Sequence, residues 1–298
     1  MKKLVSLLII IAVISVAFIG CGKKDYSLSI GVAVTHDSAK VKVSETVATL
    51  VTDAGGRIVL CRLDCVDYTA SYNDEGTLKT TAPKSKVEQG DAYAMNAGSW
   101  AQQGAALENY VKGKTQAEVA AIAVDGGRFT DADLKASCSI DVTDLLKAID
   151  NAFKSEHKTT FKASAKELKA GLSVISSVKD SSKDDSKNAK YTASFAATVM
   201  SKGTVVAAIL DSCDVEFKGI TDSGAASVVF DGSKREQGNN YGEMPAGTWY
   251  VQADAYAKAA IGKTADDIAT LASEGVAGCT IYAGDYKAGI EAAVKAAR

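Results

Sequence analysis

Alternating apolar and polar positions mark the start of each half of the chain as β structure. Thr46 to Thr52 alternates, Gly55-Gly56 supplies a turn, and Arg57 to Leu63 resumes the pattern. Tyr191 to Met200, Lys202-Gly203 and Thr204 to Leu210 repeat it. Two β-rich runs joined by a glycine-bearing turn predict a hairpin. Further extended runs follow at Cys65 to Tyr72 and Cys213 to Phe217. The period then changes. Trp100, Gln103, Leu107 and Tyr110 fall on one face of a helix, as do Trp249, Gln252 and Tyr256. Gly113 and Gly262 stand where a helix ends in a left-handed cap. Thr115 to Glu118 reads as a capping box opening a second helix, and Thr264 to Asp267 is its counterpart. Last helices are predicted over Thr143–Phe153 and Asp285–Ala297. The expected fold class is α+β, each half an antiparallel strand meander followed by two or three helices.

The halves also match residue by residue. Ser85-Lys86-Val87-Glu88-Gln89-Gly90-Asp91-Ala92-Tyr93 and Ser233-Lys234-Arg235-Glu236-Gln237-Gly238-Asn239-Asn240-Tyr241 share six of nine positions. Ala97-Gly98-Ser99-Trp100 matches Ala246-Gly247-Thr248-Trp249, and Gly113-Lys114-Thr115 matches Gly262-Lys263-Thr264. Leu63-Asp64 pairs with Leu210-Asp211, Ser137-Cys138-Ser139-Ile140 with Gly278-Cys279-Thr280-Ile281, and Leu28-Ser29-Ile30 with Leu172-Ser173-Val174. Self-similarity in constant order predicts a duplication: repeat units over 26–155 and 171–298, with 156–170 as a polar linker or, over Ser164–Lys169, a short helix. Ser176 to Lys190 reads as a solvated surface loop.

The N-terminus changes the picture from fold to location. Lys2 and Lys3 precede an apolar run, Leu4 to Ile19, that closes on Gly20-Cys21. This resembles a bacterial lipoprotein signal peptide, with Phe18 where the family usually has leucine. The resemblance implies cleavage after residue 20, a diacylglyceryl group on Cys21, and a tether over 21–25 holding the rest on the extracytoplasmic face of the cell membrane. Two acyl chains anchor a protein stably. The competing reading, an uncleaved span, is disfavoured because the run is shorter than the ~20 residues a bilayer needs.

Composition narrows the chemistry. A net charge of -2 gives no reason to expect nucleic acid, and two histidines exclude a His-rich metal centre. His36 and His157 have no counterparts, so neither a catalytic triad nor a Cys–His pair is arguable. Gly113-Lys114-Thr115 is not a phosphate loop, since Glu108 stands where the first glycine belongs. Glu88 and Glu236 recur singly, as salt-bridge or loop residues. No catalytic or metal-binding residue is assigned. Gln103 and Gln252 share a helical face with tryptophan. They are expected either to satisfy backbone of the Ser-Lys-x-Glu-Gln-Gly loop or to line a ligand pocket with Tyr93 and Trp100, or Tyr241 and Trp249. An intra-unit disulfide, Cys213–Cys279, is a further expectation for an exported chain.

Glu274 to Tyr282 resembles a degenerate form of the Ser-Gly-Ala-Thr segment of FMN-binding lipoprotein domains, and Lys190-Tyr191-Thr192-Ala193 resembles their opening. The resemblance implies FMN on Thr280, and on Ser139 in the first copy, although Ala277 replaces the motif's serine and Cys279 its alanine. The whole duplicated chain more closely resembles uncharacterised repeat lipoproteins of anaerobic Gram-positive bacteria. The expected function is non-catalytic binding of a small molecule or envelope protein; the alternative is an FMN-carrying electron-transfer lipoprotein. A solute-binding protein fits less well, because its lobes carry parallel sheets.

Overall fold

A computed structural model describes residues 22–298 except 96, 165–166, 183–185 and 243. The expected signal peptide and lipidation site, residues 1–21, lie outside these residues. Three long antiparallel strands open each half: β1 (Lys24–Asp37), β2 (Lys42–Asp53) and β3 (Ile58–Thr69) in the first. Next come α1 (Lys86–Gln89), α2 (Trp100–Val111), α3 (Gln116–Ala120), the two-residue strands β4 (Val124–Asp125) and β5 (Arg128–Phe129), α4 (Ala132–Ser137) and α5 (Thr143–Lys154). After β6 (Thr159–Ala163), the second half runs β7 (Lys169–Asp180), β8 (Ala189–Ser201), β9 (Thr204–Lys218), a short β10 (Ser227–Val229), then α6 (Lys234–Gln237), α7 (Trp249–Ala259), α8 (Ala265–Ala269) and α9 (Gly284–Lys295), with no element described in the places of β4, β5 and α4. The fold is α+β. Among the described residues no helix is long and apolar enough to cross a membrane.

The two main sheets run β3-β2-β1-β6 and β10-β9-β8-β7. They pack face to face. One apolar core holds Leu28, Val47 and Tyr68 from the first sheet with Tyr191, Phe195 and Phe217 from the second. Tyr68 and Tyr191 stack there with ring centroids 4.7 Å apart. The outer face of each sheet is covered by its own helices, giving two further cores, around Leu107 and Ile149 and around Tyr256 and Ile290. The layers are therefore helix, sheet, sheet, helix. Burial on both faces explains why Val47-Ala48-Thr49-Leu50-Val51 is apolar almost throughout rather than strictly alternating.

Helices α5 and α9 lie so close to β1 and β7 that a side chain cannot fit between them. A Cβ on Gly31 would sit 2.0 Å from the Ala152 nitrogen, and one on Gly171 would sit 1.7 Å from the Ala293 oxygen. One buried group breaks the apolar interface. Glu45 is fully buried on the inter-sheet face of β2, and neither carboxyl oxygen has a partner among the described residues. Burial, with Asp214 and Asp211 adding to it, holds this carboxyl well above its usual range.

Several expectations need correcting. Within 156–170, Thr159–Ala163 is not a linker but an edge strand pairing with β1. The supposed loop over Ser176–Lys190 is much shorter, because β7 continues to Asp180 and β8 begins at Ala189. The extended runs on either side of Asp64 and Ser212 are single continuous strands. The match of Leu28-Ser29-Ile30 to Leu172-Ser173-Val174 is out of register by two. Gly31 faces Ala48 and Ser173 faces Ala196, so Gly31 and Ser173 are equivalent. A two-residue slip preserves the face of every side chain, so sequence pattern does not detect it.

Candidate functional site

Both sites grow from an Asp-x-x-Asp pattern on the third strand. Residues three apart on a strand point to opposite faces, and the two carboxylates do different work. Asp64 pins the following helix: it accepts from Ser85 Oγ at 2.7 Å and Val87 N at 3.0 Å. Asp211 accepts from Arg235 N at 3.1 Å in the same way. Burial pushes both up to about 6, against the hydrogen bonds they accept. Ser85 and Ser233 cap α1 and α6 by accepting from Glu88 N and Glu236 N, and in the second half Glu236 returns the bond to Ser233 N at 3.0 Å. The cap fixes the next residue, a lysine, against the second carboxylate.

In the first half Lys86 Nζ lies 3.3 Å from Asp67 Oδ2, under the rings of Tyr93 and Trp100 at 5.5 and 5.9 Å from their centroids. In the second half Lys234 Nζ lies 3.4 Å from Asp214 Oδ2, with Tyr241 and Trp249 at 5.1 and 5.6 Å. A hydroxyl on the second strand completes each: Ser44 Oγ donates to Asp67 at 2.6 Å, and Thr192 Oγ1 to Asp214 at 2.8 Å. Burial raises both aspartates, but these hydroxyls and lysines outweigh it and hold them below their usual range. Burial lowers Lys86, but Cys65, Asp67 and Tyr93 more than offset it, so it stays cationic.

The two clusters differ at Oδ2 of the aspartate. Tyr241 Oη donates to Asp214 Oδ2 at 3.2 Å and Lys190 closes on it at 3.0 Å. In the first half Lys42 stands back at 3.6 Å. A cleft of ≈ 330 Å³ opens there, lined by Asp67, Pro83, Lys84, Lys86, Gln89 and Tyr93. The Asp67 side chain is 28% exposed, that of Asp214 17%.

The glutamines have a separate task. Gln103 is fully buried; its Nε2 donates to Gly98 O at 3.0 Å, and its Oε1 accepts from Ser139 N at 2.7 Å and Ser139 Oγ at 3.1 Å. Gln252 does the same with Gly247 O, Thr280 N and Thr280 Oγ1, and also accepts from Ile281 N at 3.2 Å. The expected Trp–Gln–Tyr pocket is thus split. Tyr93 lines the cleft, Trp100 is buried behind Lys86, and Gln103 ties the helix-entry loop to the segment before α5 rather than to the Ser-Lys-x-Glu-Gln-Gly loop. Tyr241 and Trp249 pack edge to face, 6.5 Å apart, in the closed copy.

The FMN expectation meets this same clamp. Ser139 and Thr280 hydroxyls both donate to a glutamine carbonyl, at equivalent places, and neither residue lines the cleft described above. The residues fit a structural hydroxyl better than a flavin ester. The proposed disulfide is excluded by the sheet: Cys213 lies in the inter-sheet core, Cys279 on the helix side, and both are free thiols. Glu88 is held by Lys84 at 3.6 Å, and His157 packs tilted against Tyr250 with ring centroids 4.2 Å apart. Lys86, Lys234, Asp67 and Asp214 were missed as site residues. Their signal was present: Leu63-Asp64-x-x-Asp67 and Leu210-Asp211-x-x-Asp214 recur, as does the lysine after each capping serine.

Chemically, the cluster offers a fixed cation, a fixed carboxylate and an aromatic wall. Its one thiol, Cys65, is pushed up by burial and is a poor nucleophile. Among the described residues, no group of three His, Cys, Asp or Glu side chains is placed to hold a metal. Comparison with protein-family models, curated proteins and solved structures returns no match.

Proposed function

We propose that this chain is an extracytoplasmic, lipid-anchored protein of two duplicated α+β units that binds a ligand at the cell envelope without catalysing a reaction. The observation that carries the reading is the cleft beside Asp67: donors and an acceptor held rigidly, in settled protonation states, with no base–nucleophile pair among them. Support for the anchor comes from Lys2-Lys3, the apolar run and Gly20-Cys21. Support for duplication comes from matched elements and hydrogen bonds in the two halves. In the native host, Cys21→Ala should abolish fatty-acid labelling and partition into detergent; retained labelling sinks the anchor. Turnover of a substrate at ordinary enzyme rates by purified protein sinks the non-catalytic reading.

The second reading, FMN on Thr280, is favoured only by the exposure of that residue. Flavin absorbance of protein from its native host, with an FMN mass on the Thr280 peptide, would establish it; a colourless preparation removes it.

A further inference from the structure

We infer that the first-half cleft is a carbohydrate site, in which a sugar hydroxyl takes the place at Asp67 that Tyr241 Oη occupies at Asp214. The inference rests on the non-catalytic binding reading and names its ligand class.

The second half shows what a filled site looks like. Asp214 Oδ2 receives a hydroxyl at 3.2 Å and an ammonium at 3.0 Å. Among the described residues Asp67 Oδ2 is paired with two lysines, at 3.3 and 3.6 Å, and it borders the cleft. The tyrosine that donates to the corresponding oxygen in the other half identifies the complementary donor as a hydroxyl. Beside it stand Lys86 and Lys84, which donate but do not accept. A ligand satisfying both kinds of group carries adjacent hydroxyls, one donating to the carboxylate and one accepting from an ammonium. Tyr93 adds a ring wall for an apolar face. Adjacent hydroxyls on a ring with an apolar face describe a sugar. The volume, ≈ 330 Å³, lies at the small end of ligand pockets and suits one ring.

A neighbouring cleft of ≈ 260 Å³ includes Lys40, Lys42 and Ser44 in its lining. Ser44 and Lys42 of this cleft both reach Asp67 of the first, so the two clefts adjoin across those contacts. A second sugar residue fits there, and the occupant we assign is a glycan chain rather than a free monosaccharide.

The test uses the chain from Cys21 onward and saturation-transfer NMR with N-acetylglucosamine, methyl α-mannoside and chitotetraose. At least one monosaccharide should bind saturably, with Kd on the order of millimolar, because one ring buries little area. Asp67→Asn and, independently, Tyr93→Ala should weaken it tenfold or more, whereas Asp214→Asn should not. Tighter binding of the tetramer supports a chain as occupant; equal affinity supports a free sugar in the same site. No saturable binding by any of the three at tens of millimolar overturns the proposal, as does an equal loss with Asp214→Asn in protein whose unfolding transition shows that it is still folded. Saturable shifts with acetate or inorganic phosphate alone, lost in Asp67→Asn, overturn the sugar while leaving a binding protein. Cleavage of a bound sugar overturns the non-catalytic reading instead.

Discussion

The Asp67 and Asp214 clusters are built from the same residue types at the same strand positions, yet one is open and the other shut. For the lysine the difference is 3.0 against 3.6 Å. Tyr241 and Lys190 close on Asp214, while their counterparts Tyr93 and Lys42 stand away from Asp67. A shut cluster is a stabilising element, with a buried charge whose partners are all internal. An open one forgoes part of that stabilisation and presents a cation, an anion and a ring to solvent. One architecture thus supports two roles, and the state of a single carboxylate oxygen separates them.

The most damaging way to break the comparison is to remove the shut anion. Lys234, only 10% exposed, would be left unpaired, so Asp214→Ala should cost about 3–5 kcal/mol in urea unfolding. Asp67→Ala should cost clearly less, about 1–2 kcal/mol, because water already reaches that site. Equal losses would show that the two clusters do not differ.

Acidity separates the carboxylates in another way. Asp64 and Asp211 are raised to about 6 by burial, so each holds its proton more tightly when folded. Their stabilisation is complete below the unfolded value of ~4 and is lost as pH rises through about 6, by ~3 kcal/mol for each. Asp67 and Asp214 are held low, so their contribution is present above ~4 and lost as pH falls further. Stability should therefore peak near pH 4 and decline toward neutrality. Asp211→Asn should flatten the decline, read from unfolding midpoints at stepped pH. A curve rising from pH 4 to 7 contradicts the assignment.

Glu45 offers a third contrast, because the equivalent position on β8 is Ala193. An unpartnered buried carboxyl costs about 1–3 kcal/mol, so Glu45→Met should raise the thermal midpoint at pH 7. A lowered midpoint would mean that the carboxyl has a partner after all. Smallest, and sharpest, is the hydroxyl pair. Tyr241→Phe should lose about 1 kcal/mol, and Tyr93→Phe no more than ~0.5. Matching losses would place Tyr93 Oη on Asp67 in solution.

What the sequence showed and what it hid follow from range. Hairpin turns, the Thr115 and Thr264 caps, the left-handed glycines and the Trp–Gln face are set within a few residues, and the pattern displays them. The packing of sheet on sheet is set by residues far apart, and no local period reports it. For the same reason Glu45 looks like any polar strand residue until the second sheet covers it. The site was half legible. Tyr93 and Trp100 stand out as aromatics, but nothing local singles out Lys86 and Asp67, since only the fold brings them within 3.3 Å.

The core shared by the two sheets has a practical corollary. Either half made alone would expose the whole greasy side of a four-stranded sheet and should precipitate. A nick between β6 and β7 should leave two fragments that remain associated, and fragments co-expressed from separate messages should reassemble. Any evolutionary rearrangement that parts the halves must also reinvent a cover for each.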